Sequence, residues 1–178
     1  MGRLDGKVAV ITGGALGLGR ATALRMAEAG AAVAVCDVRL DEANALVDEF
    51  IERGLQAAAW RLDVSSEAEF EKVLGDVARR FGHIDILVNN AGVAGADKPT
   101  DQLTEAEWDA VQAVNVKGAF FGVKHVIPHL RRAGGGSIIN LSSIYGLISA
   151  PDVPPYHASK GAVRVMTKTD ALIYAPEK

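Results

Sequence analysis

The sequence lacks the features that most directly mark secreted, membrane-spanning and nucleic-acid-binding chains. It has one cysteine, Cys36, among 178 residues. A single thiol forms no disulfide within the chain, so we expect a reducing, cytoplasmic location. No apolar run approaches the roughly 18 residues that a membrane helix needs, since Arg20, Arg25, Glu28 and Asp37 interrupt the best candidate. The N-terminus has no signal-peptide core, and we expect no membrane association.

Basic clusters are also missing. The chain carries 22 acidic and 19 basic residues, for a formal net charge of −3. This balance argues against nucleic acid as a partner. At 49% hydrophobic residues, the composition is that of a folded protein and excludes a disordered chain. We therefore predict one domain over residues 1–178, long enough to bury a sizeable core.

Short apolar runs alternate with longer helical patterns along the chain. None of the runs alternates cleanly between apolar and polar residues, which is typical of strands covered on both faces. The predicted strands are Val8–Thr12, Ala32–Cys36, Ala57–Leu62, Ile84–Val88 and Ser137–Leu141. The predicted helices lie near 18–29, 41–53, 67–81, 105–132 and 156–175. Two helices begin with capping-box patterns, Ser66 with Glu69 and Thr104 with Glu107.

Such alternation predicts βαβ units in an α/β fold: a Rossmann-like, doubly wound parallel sheet with strand order 3-2-1-4-5 and helices on both faces. In such sheets a ligand binds at the carboxyl ends of the strands, where the strand order reverses. The reversal lies between the first and fourth strands. We therefore look for function just after Thr12 and just after Val88.

A glycine-rich segment follows the first strand and leads directly into a helix. Glycine lets the backbone turn tightly and approach a pyrophosphate, and the helix N-terminus offers free N–H donors. Its position between a strand and a helix predicts a dinucleotide-binding turn. The residues expected to contact the dinucleotide are Thr12, Gly13, Leu16, Gly17, Leu18 and Gly19.

An acid, Asp37, ends the second strand 18 residues after Gly19. A carboxylate there accepts hydrogen bonds from the ribose hydroxyls of an adenosine and repels a 2′-phosphate, which predicts NAD rather than NADP. Arg39 lies two positions later and is suited to pair with that phosphate, so NADP stays as the less favoured alternative. Methyltransferases also combine a glycine turn with such an acid, and these residues alone leave the chemistry open.

Tyr156 and Lys160 are four residues apart, a spacing that puts both side chains on one face of a helix. Pro154 and Pro155 suit the start of that helix. A tyrosine with the ordinary pKa of about 10 is a poor base at neutral pH. A neighbouring ammonium stabilises the phenolate and lowers that pKa, which makes Tyr156 a candidate general acid and base. By contrast, His125 and His129 have no third ligand in the sequence pattern, and we predict no metal site.

The sequence resembles the short-chain dehydrogenase/reductase family along its whole length. The resemblance is carried by motifs in family order and spacing, including Ser143 located 13 residues before Tyr156. The matching motifs are Thr12-Gly13 with Gly17 and Gly19, Asp63-Val64, Asn89-Asn90-Ala91-Gly92, Asn115, Ser142-Ser143, and Tyr156 with Lys160.

The resemblance implies a catalytic set of four residues. Tyr156 would exchange a proton with the alcohol or carbonyl oxygen, and Ser143 would hydrogen-bond the same oxygen. Lys160 would lower the tyrosine pKa and bind the nicotinamide ribose, and Asn115 would hold a water of a proton relay. Further cofactor contacts implied by the resemblance are Asp63 and Val64 at the adenine, Asn90, Ala91 and Gly92 along the adenosine half, and Tyr156 and Lys160. Asn89 is expected to tie strands together.

The implied function is an NAD-dependent oxidoreductase that interconverts a secondary alcohol and a ketone. Its partner would be a small alcohol or ketone, and the resemblance implies a homodimer or homotetramer formed through helices 105–132 and 156–175. Two alternatives stay open: a non-catalytic nucleotide-binding or interaction protein, and an NADPH-dependent 3-oxoacyl reductase.

The family fold continues with further strands beyond the point where this sequence stops. We therefore expect a fold that lacks the last strands of the family and an uncovered fifth strand. We also expect that a protein of these residues alone is poorly stable and has little activity.

Overall fold

The computed structural model describes residues 2–177 and contains five strands that form one parallel sheet. The strand order is β3-β2-β1-β4-β5, which confirms the predicted topology. In the register of the central strands, Ala9 of β1 lies between Val33 of β2 and Ile86 of β4. The strands are β1 Val8–Thr12, β2 Ala32–Asp37, β3 Ala57–Arg61, β4 Ile86–Asn89 and β5 Ser137–Asn140. Four of the five predicted strands shift at one or both ends by one or two residues, within the usual uncertainty of such boundaries.

Residues 2–177 contain six α-helices, of which five lie between strands and the last follows β5. They are α1 Gly17–Glu28, α2 Leu40–Glu52, α3 Glu67–Phe81, α4 Glu105–Gln112, α5 Gly118–Ala133 and α6 Pro154–Tyr174. Alternating side chains of β1 enter two separate cores, one on each face of the sheet. Val8 and Val10 pack with residues of α3 and α5, whereas Ala9 and Ile11 pack with residues of α1 and α2. This arrangement explains the unbroken apolar runs of the central strands.

The predicted helix over 105–132 is wrong as a single element. A π-helical turn at Ala113–Lys117 separates α4 from α5. Asn115 lies in this turn and is buried. Its amide contacts Val93 and Ser159, and the wider turn directs the side chain towards these partners. Insertions of this kind are frequent at functional sites.

The two edge strands of the sheet are less well covered than the central strands. The expectation of cover on both faces is wrong for β3, where Ala57–Trp60 are half-buried and Arg61 is exposed. In β5, Ile139 is 41% exposed. Edge strands have a neighbour on one side only, so fewer elements cover them. β5 thus has the uncovered character expected from the sequence.

Of the two predicted capping boxes, only one is complete. Thr104 and Glu107 exchange both hydrogen bonds at the start of α4. The Lys98 ammonium and the Thr104 N–H lower the pKa of Glu107 to about 2. At the start of α3, Ser66 accepts from the backbone N–H of Glu69, but the Glu69 carboxylate accepts instead from Asp63 N at 3.0 Å and from an arginine of β3. The competing donors explain why the reciprocal bond is missing.

Asp85 ties together the amino ends of the central strands. Its carboxylate accepts from Val8 N at 2.8 Å and from Lys7 Nζ at 2.9 Å, and it contacts His83 Nε2 at 2.9 Å. Its backbone carbonyl accepts from Ser137 N at the start of β5. Burial raises the pKa of this carboxyl, but the hydrogen bonds from Val8 and Lys7 outweigh burial and hold the pKa below 3.8.

Asp85→Asn should lower the free energy of unfolding at pH 7 by about 1–3 kcal/mol, because it removes charged hydrogen bonds from a buried site. A carboxyl with a lowered pKa in the folded state contributes stability above its ordinary pKa of 3.8, and this contribution is lost as the pH falls through the folded value. The difference in unfolding free energy between the variant and the wild type should therefore become smaller as the pH falls below 3.8. Urea unfolding across this pH range measures it, with Asp109→Asn on the exposed face of α4 as the control. A difference that does not vary with pH would contradict the assignment.

Candidate active site

The glycine turn lies where the sequence predicts it, at the carboxyl end of β1. Gly13 has a φ of +61° and Gly17 a φ of +54°, conformations that favour glycine. Gly19 faces the turn from α1, and a Cβ there would overlap the carbonyl oxygen of Gly13. A Cβ on Gly13 would lie 2.9 Å from Ala91 Cα. The surface of the turn is formed by exposed Leu16 and Leu18, so backbone and apolar side chains are available to a ligand.

The residues after β4 lock the turn in position. Asn90 Nδ2 donates to the carbonyl oxygens of Thr12 at 2.9 Å and Gly13 at 3.0 Å. The buried Thr12 hydroxyl accepts from the backbone N–H groups of Asn90 and Ala91, each at 3.1 Å. Thr12 and Asn90, which the sequence predicts as ligand contacts, therefore also join β1 to the segment after β4. The Thr12 hydroxyl oxygen and the Asn90 side-chain nitrogen both take part in these hydrogen bonds.

Asp37 ends β2 beside the turn and is 9% exposed. Its Oδ2 accepts from Ala15 N at 3.1 Å and its Oδ1 from Arg39 N at 3.0 Å. Each carboxylate oxygen has a second lone-pair direction, so Asp37 can accept further hydrogen bonds from a ligand. The Arg39 residue itself is exposed.

Asp63 and Val64 follow β3 at the same end of the sheet. Hydrogen bonds from the hydroxyl and backbone N–H of Ser65 hold the pKa of Asp63 below its ordinary value. Val64 is buried, and it contacts the backbone of Gly118 so closely that a Cβ on Gly118 would lie 2.9 Å from Val64 Cγ2. The pair therefore joins β3 to the start of α5.

Tyr156 and Lys160 share one face of α6, as predicted. Lys160 Nζ lies 5.5 Å from the centroid of the Tyr156 ring. The lysine is 5% exposed, and its ammonium donates to the Leu141 carbonyl oxygen at 2.7 Å. Burial lowers the pKa of Lys160 because the ammonium loses hydration. Tyr156 is half-buried.

Asn115 and Gly92 border the same lysine. A Cβ on Gly92 would lie 3.5 Å from Lys160 Nζ and 3.3 Å from Asn115 Oδ1. The Asn115 amide accepts from Val93 N at 2.8 Å and donates to Val93 O and Ser159 Oγ, both at 2.9 Å. Its side chain therefore fastens the loop after β4 to α6.

Ser143 follows β5 and is half-buried. Its Oγ accepts from Tyr145 N at 3.2 Å, so the hydroxyl proton points to another acceptor. The neighbouring Ser142 is engaged differently, because its hydroxyl donates to the Lys160 carbonyl oxygen at 2.8 Å. This difference supports Ser143 as the candidate of the two serines.

Asn89 ties strands together. Its Nδ2 donates to Asn140 Oδ1 at 2.8 Å and to Ala119 O at 3.3 Å. The Asn140 amide continues to Thr167 of α6 at 2.9 Å. Within residues 2–177, the buried Asn89 Oδ1 has no hydrogen-bond partner.

The sequence analysis did not predict the aromatic contacts beside Tyr156. The Tyr145 ring stacks on His157 and meets the Tyr156 ring edge to face. Nothing in the spacing of these residues predicts it, because the group depends on the path of the loop between β5 and α6. Elsewhere, the two histidines of α5 bind different partners: His125 contacts Glu67, and His129 contacts Arg132.

Residues 2–177 hold no helix both long and apolar enough to cross a bilayer. The same residues contain no cluster of three or more histidine, cysteine or acidic side chains suited to a metal ion.

A parallel sheet with a glycine turn at its switch point defines a Rossmann-type dinucleotide-binding protein. Comparison with known proteins agrees. The family described as short chain dehydrogenase matches residues 7–178, and the chain belongs to this family of NAD(P)-dependent oxidoreductases.

Individual relatives extend the comparison. Cyclopentanol dehydrogenase of Comamonas sp. is 39% identical over 176 residues, which are 99% of this chain and 70% of the relative. The 3-oxoacyl-[acyl-carrier-protein] reductase of Thermotoga maritima is 39% identical over 167 residues, covering 94% of this chain and 68% of the relative. A crystal structure of NAD⁺-bound xylitol dehydrogenase superimposes with a TM-score of 0.95 at 36% identity, covering 99% of this chain and 68% of the other.

Gly19→Ala should abolish measurable NAD binding, because the new methyl group would displace Gly13 O or Asn90 Nδ2 and open the turn. Calorimetric titration of NAD measures this. The control is Gly75→Ala within α3, where the nearest atom to a Cβ is Arg79 Nη1 at 3.5 Å. That change should leave binding intact and raise stability by up to about 1 kcal/mol. Normal NAD affinity in Gly19→Ala would rule out the glycine turn as the coenzyme site.

Proposed function

We propose that the protein is an NAD-dependent oxidoreductase that interconverts a secondary alcohol and a ketone, with Tyr156 as proton donor and acceptor. The observation that carries the proposal is the buried Lys160 ammonium 5.5 Å from the Tyr156 ring centroid, next to the glycine turn. The buried ammonium is therefore in place to assist the proton exchange that we assign to Tyr156.

The glycine turn supports the coenzyme part of the proposal. Gly13 and Gly19 pack so closely against neighbouring backbone that a Cβ on either would overlap it, whereas Gly17 faces open space where a ligand can approach the backbone. The N-terminus of α1 adds free N–H donors. The nicotinamide of a bound coenzyme supplies hydride transfer. The coenzyme would contact the glycine turn at Thr12, Gly13, Leu16, Gly17, Leu18 and Gly19. Asn90, Ala91 and Gly92 would lie along its adenosine half, and Asp63 and Val64 at the adenine.

Ser143 would orient the reacting oxygen. Because its Oγ accepts from Tyr145 N, the hydroxyl proton remains for a hydrogen bond to the substrate oxygen. A donor aimed at the oxygen where charge develops stabilises the transition state. Tyr156 would then transfer the proton to or from the same atom.

Asn115 would support a proton relay behind Lys160. The Asn115 amide is already hydrogen-bonded to Val93 and Ser159. The water of the relay would therefore lie in the cavity beside the amide. A cavity of about 10 Å³ lies between Thr12, Asn89, Asn115 and Lys160. This volume is close to the minimum that one water needs, and the lining is polar enough to hold it.

Asp37 is the residue that would select NAD over NADP. The buried carboxylate beside the turn would accept hydrogen bonds from the ribose hydroxyls and repel a 2′-phosphate. The NAD⁺-bound xylitol dehydrogenase structure supports this preference. Exposed Arg39 and the similarity to a 3-oxoacyl-[acyl-carrier-protein] reductase favour the second candidate, an NADPH-dependent 3-oxoacyl reductase.

A small alicyclic alcohol is the first substrate class to test, because cyclopentanol dehydrogenase is among the relatives. The screen would compare cyclopentanol and cyclohexanol with NAD, and a 3-oxoacyl thioester with NADPH. Turnover of the thioester alone would favour the second candidate. Coenzyme binding without turnover of any compound would favour a non-catalytic nucleotide-binding protein.

Tyr156→Phe should reduce kcat by roughly 10²- to 10⁴-fold, since the proton donor and acceptor is lost. The Kd for NAD should change little, because the ring and Lys160 remain. Steady-state kinetics and NAD titration test both parts. Tyr174→Phe, at the other end of α6, is the matched control and should behave as wild type. Turnover retained in Tyr156→Phe would remove this residue from the mechanism.

Asp37→Ala should lower NAD affinity and shift the NAD-to-NADP selectivity by roughly ten- to a hundredfold, the range expected for hydrogen bonds to a charged group. Part of the loss should affect both coenzymes, because Ala15 N also loses its acceptor. Asp48→Ala on α2 removes the same charge from an exposed position and serves as the control. Unchanged selectivity in Asp37→Ala would show that another group chooses the coenzyme.

A further inference from the structure

The loop between β5 and α6 is held by an aromatic stack that ends at Tyr156. The rings of Tyr145 and His157 are stacked, with centroids 4.2 Å apart and planes 11° apart. The other side of Tyr145 meets the Tyr156 ring at 6.2 Å and 78°, an edge-to-face contact. Among residues 2–177, only the Tyr145 ring contacts the rings of both Tyr156 and His157.

Hydrogen bonds fix both partners of the stack to the loop: Tyr145 to a side chain and His157 to the backbone. Tyr145 Oη donates to Asp152 Oδ2 at 3.2 Å. His157 Nε2 accepts from Ala150 N at 3.1 Å, and this bond requires that the proton of a neutral imidazole resides on Nδ1. Nδ1 then donates to Val153 O at 3.2 Å. The ring is thus bound through both nitrogens.

These contacts surround a strained residue. Val153 has φ +32° and ψ +59°, the only positive φ of a non-glycine residue among residues 2–177. For a β-branched residue this conformation costs energy, and it persists only where the surroundings impose it. Val153 N donates to Asp97 Oδ1 at 3.4 Å, and Val153 O accepts from Tyr156 N at 2.9 Å and from His157.

The strained turn sets the direction in which α6 begins. Val153 is the cap of that helix, and Tyr156 lies in its first turn. A change at Val153 would therefore rotate or shift the phenol of Tyr156. The segment lies outside the two cores of the sheet, so its contacts have little to do with holding the sheet together.

We propose that Tyr145, Asp152 and His157, here named the Tyr145 clamp, are positioning residues that hold Tyr156 in its reactive orientation. The inference rests on the proposed function, since it assigns these residues a role through Tyr156. Displacement of a reacting group by about 1 Å is enough to cost up to 10²-fold in rate. The Tyr145 clamp is thus a determinant of kcat and not of coenzyme affinity.

The charge of Asp152 also separates the roles of the two tyrosines. Its hydrogen bond with the Tyr145 hydroxyl raises the pKa of that phenol. Tyr145 therefore stays protonated as a donor, whereas Tyr156 faces the Lys160 ammonium. An anion therefore lies beside one phenol and a cation beside the ring of the other.

The test uses four variants of the Tyr145 clamp. Tyr145→Phe keeps the stacked ring but removes the donor, and Asp152→Ala removes the acceptor. Each should lower kcat by roughly five- to thirtyfold, with the Kd for NAD within twofold of wild type. The double variant should lose no more than the larger single loss, because both changes break the same hydrogen bond. Asp152→Asn restores an oxygen acceptor and should recover most of the activity lost in Asp152→Ala.

The outcomes separate this inference from the proposed function. Tyr174→Phe controls for the loss of a phenol hydroxyl elsewhere on α6. Wild-type kcat in Tyr145→Phe and Asp152→Ala overturns the Tyr145 clamp and leaves the proposed function standing. The same holds if kcat and NAD affinity fall in parallel, or if Asp152→Asn is as impaired as Asp152→Ala, since these results indicate a general structural effect. Absence of turnover in the wild-type protein overturns the proposed function, and the Tyr145 clamp with it.

Discussion

The contact between the ends of β1 and β4 is the constraint on which the rest of the site depends. Reversal of the strand order brings these two ends side by side, and the Asn90 amide and Thr12 hydroxyl join them through four hydrogen bonds. The bonds fix Gly13 at a positive φ and leave no room for a Cβ between the two segments. The geometry of the glycine turn is thus a property of the sheet topology.

The other residues of the candidate site are positioned by elements that pack near this contact. Gly92 leads from the Asn90 loop to Asn115, and Asn115 fastens that loop to Ser159 of α6. α6 in turn carries Lys160 beneath the Tyr156 ring, with Leu141 at the end of β5 holding the ammonium. The links from Gly92 to Asn115, from Asn115 to Ser159 and from Lys160 to Leu141 each join segments far apart in the chain, so these residues meet only in the folded protein.

Local pattern was enough to predict the strands, their order, the glycine turn and the helix bearing Tyr156 and Lys160, because each has a short-range physical cause. The features that were wrong or missed have long-range causes. The π turn depends on Asn115 bonding to Val93 and Ser159, and the incomplete capping box on Glu69 bonding to β3 and Asp63. Likewise, the stack of Tyr145 on His157 depends on how a loop folds back, which no periodicity encodes.

The two ends of the sheet differ in how well their polar groups are satisfied. At the amino end, Asp85 has partners for both carboxylate oxygens and for its backbone. At the carboxyl end, Lys160 is buried with a lowered pKa, Asn89 Oδ1 has no partner among the described residues, and Val153 is strained. Each of these features costs folding free energy, and such costs persist where function maintains them. Independently of any motif, the uneven distribution supports the proposal that the active site lies at the carboxyl end.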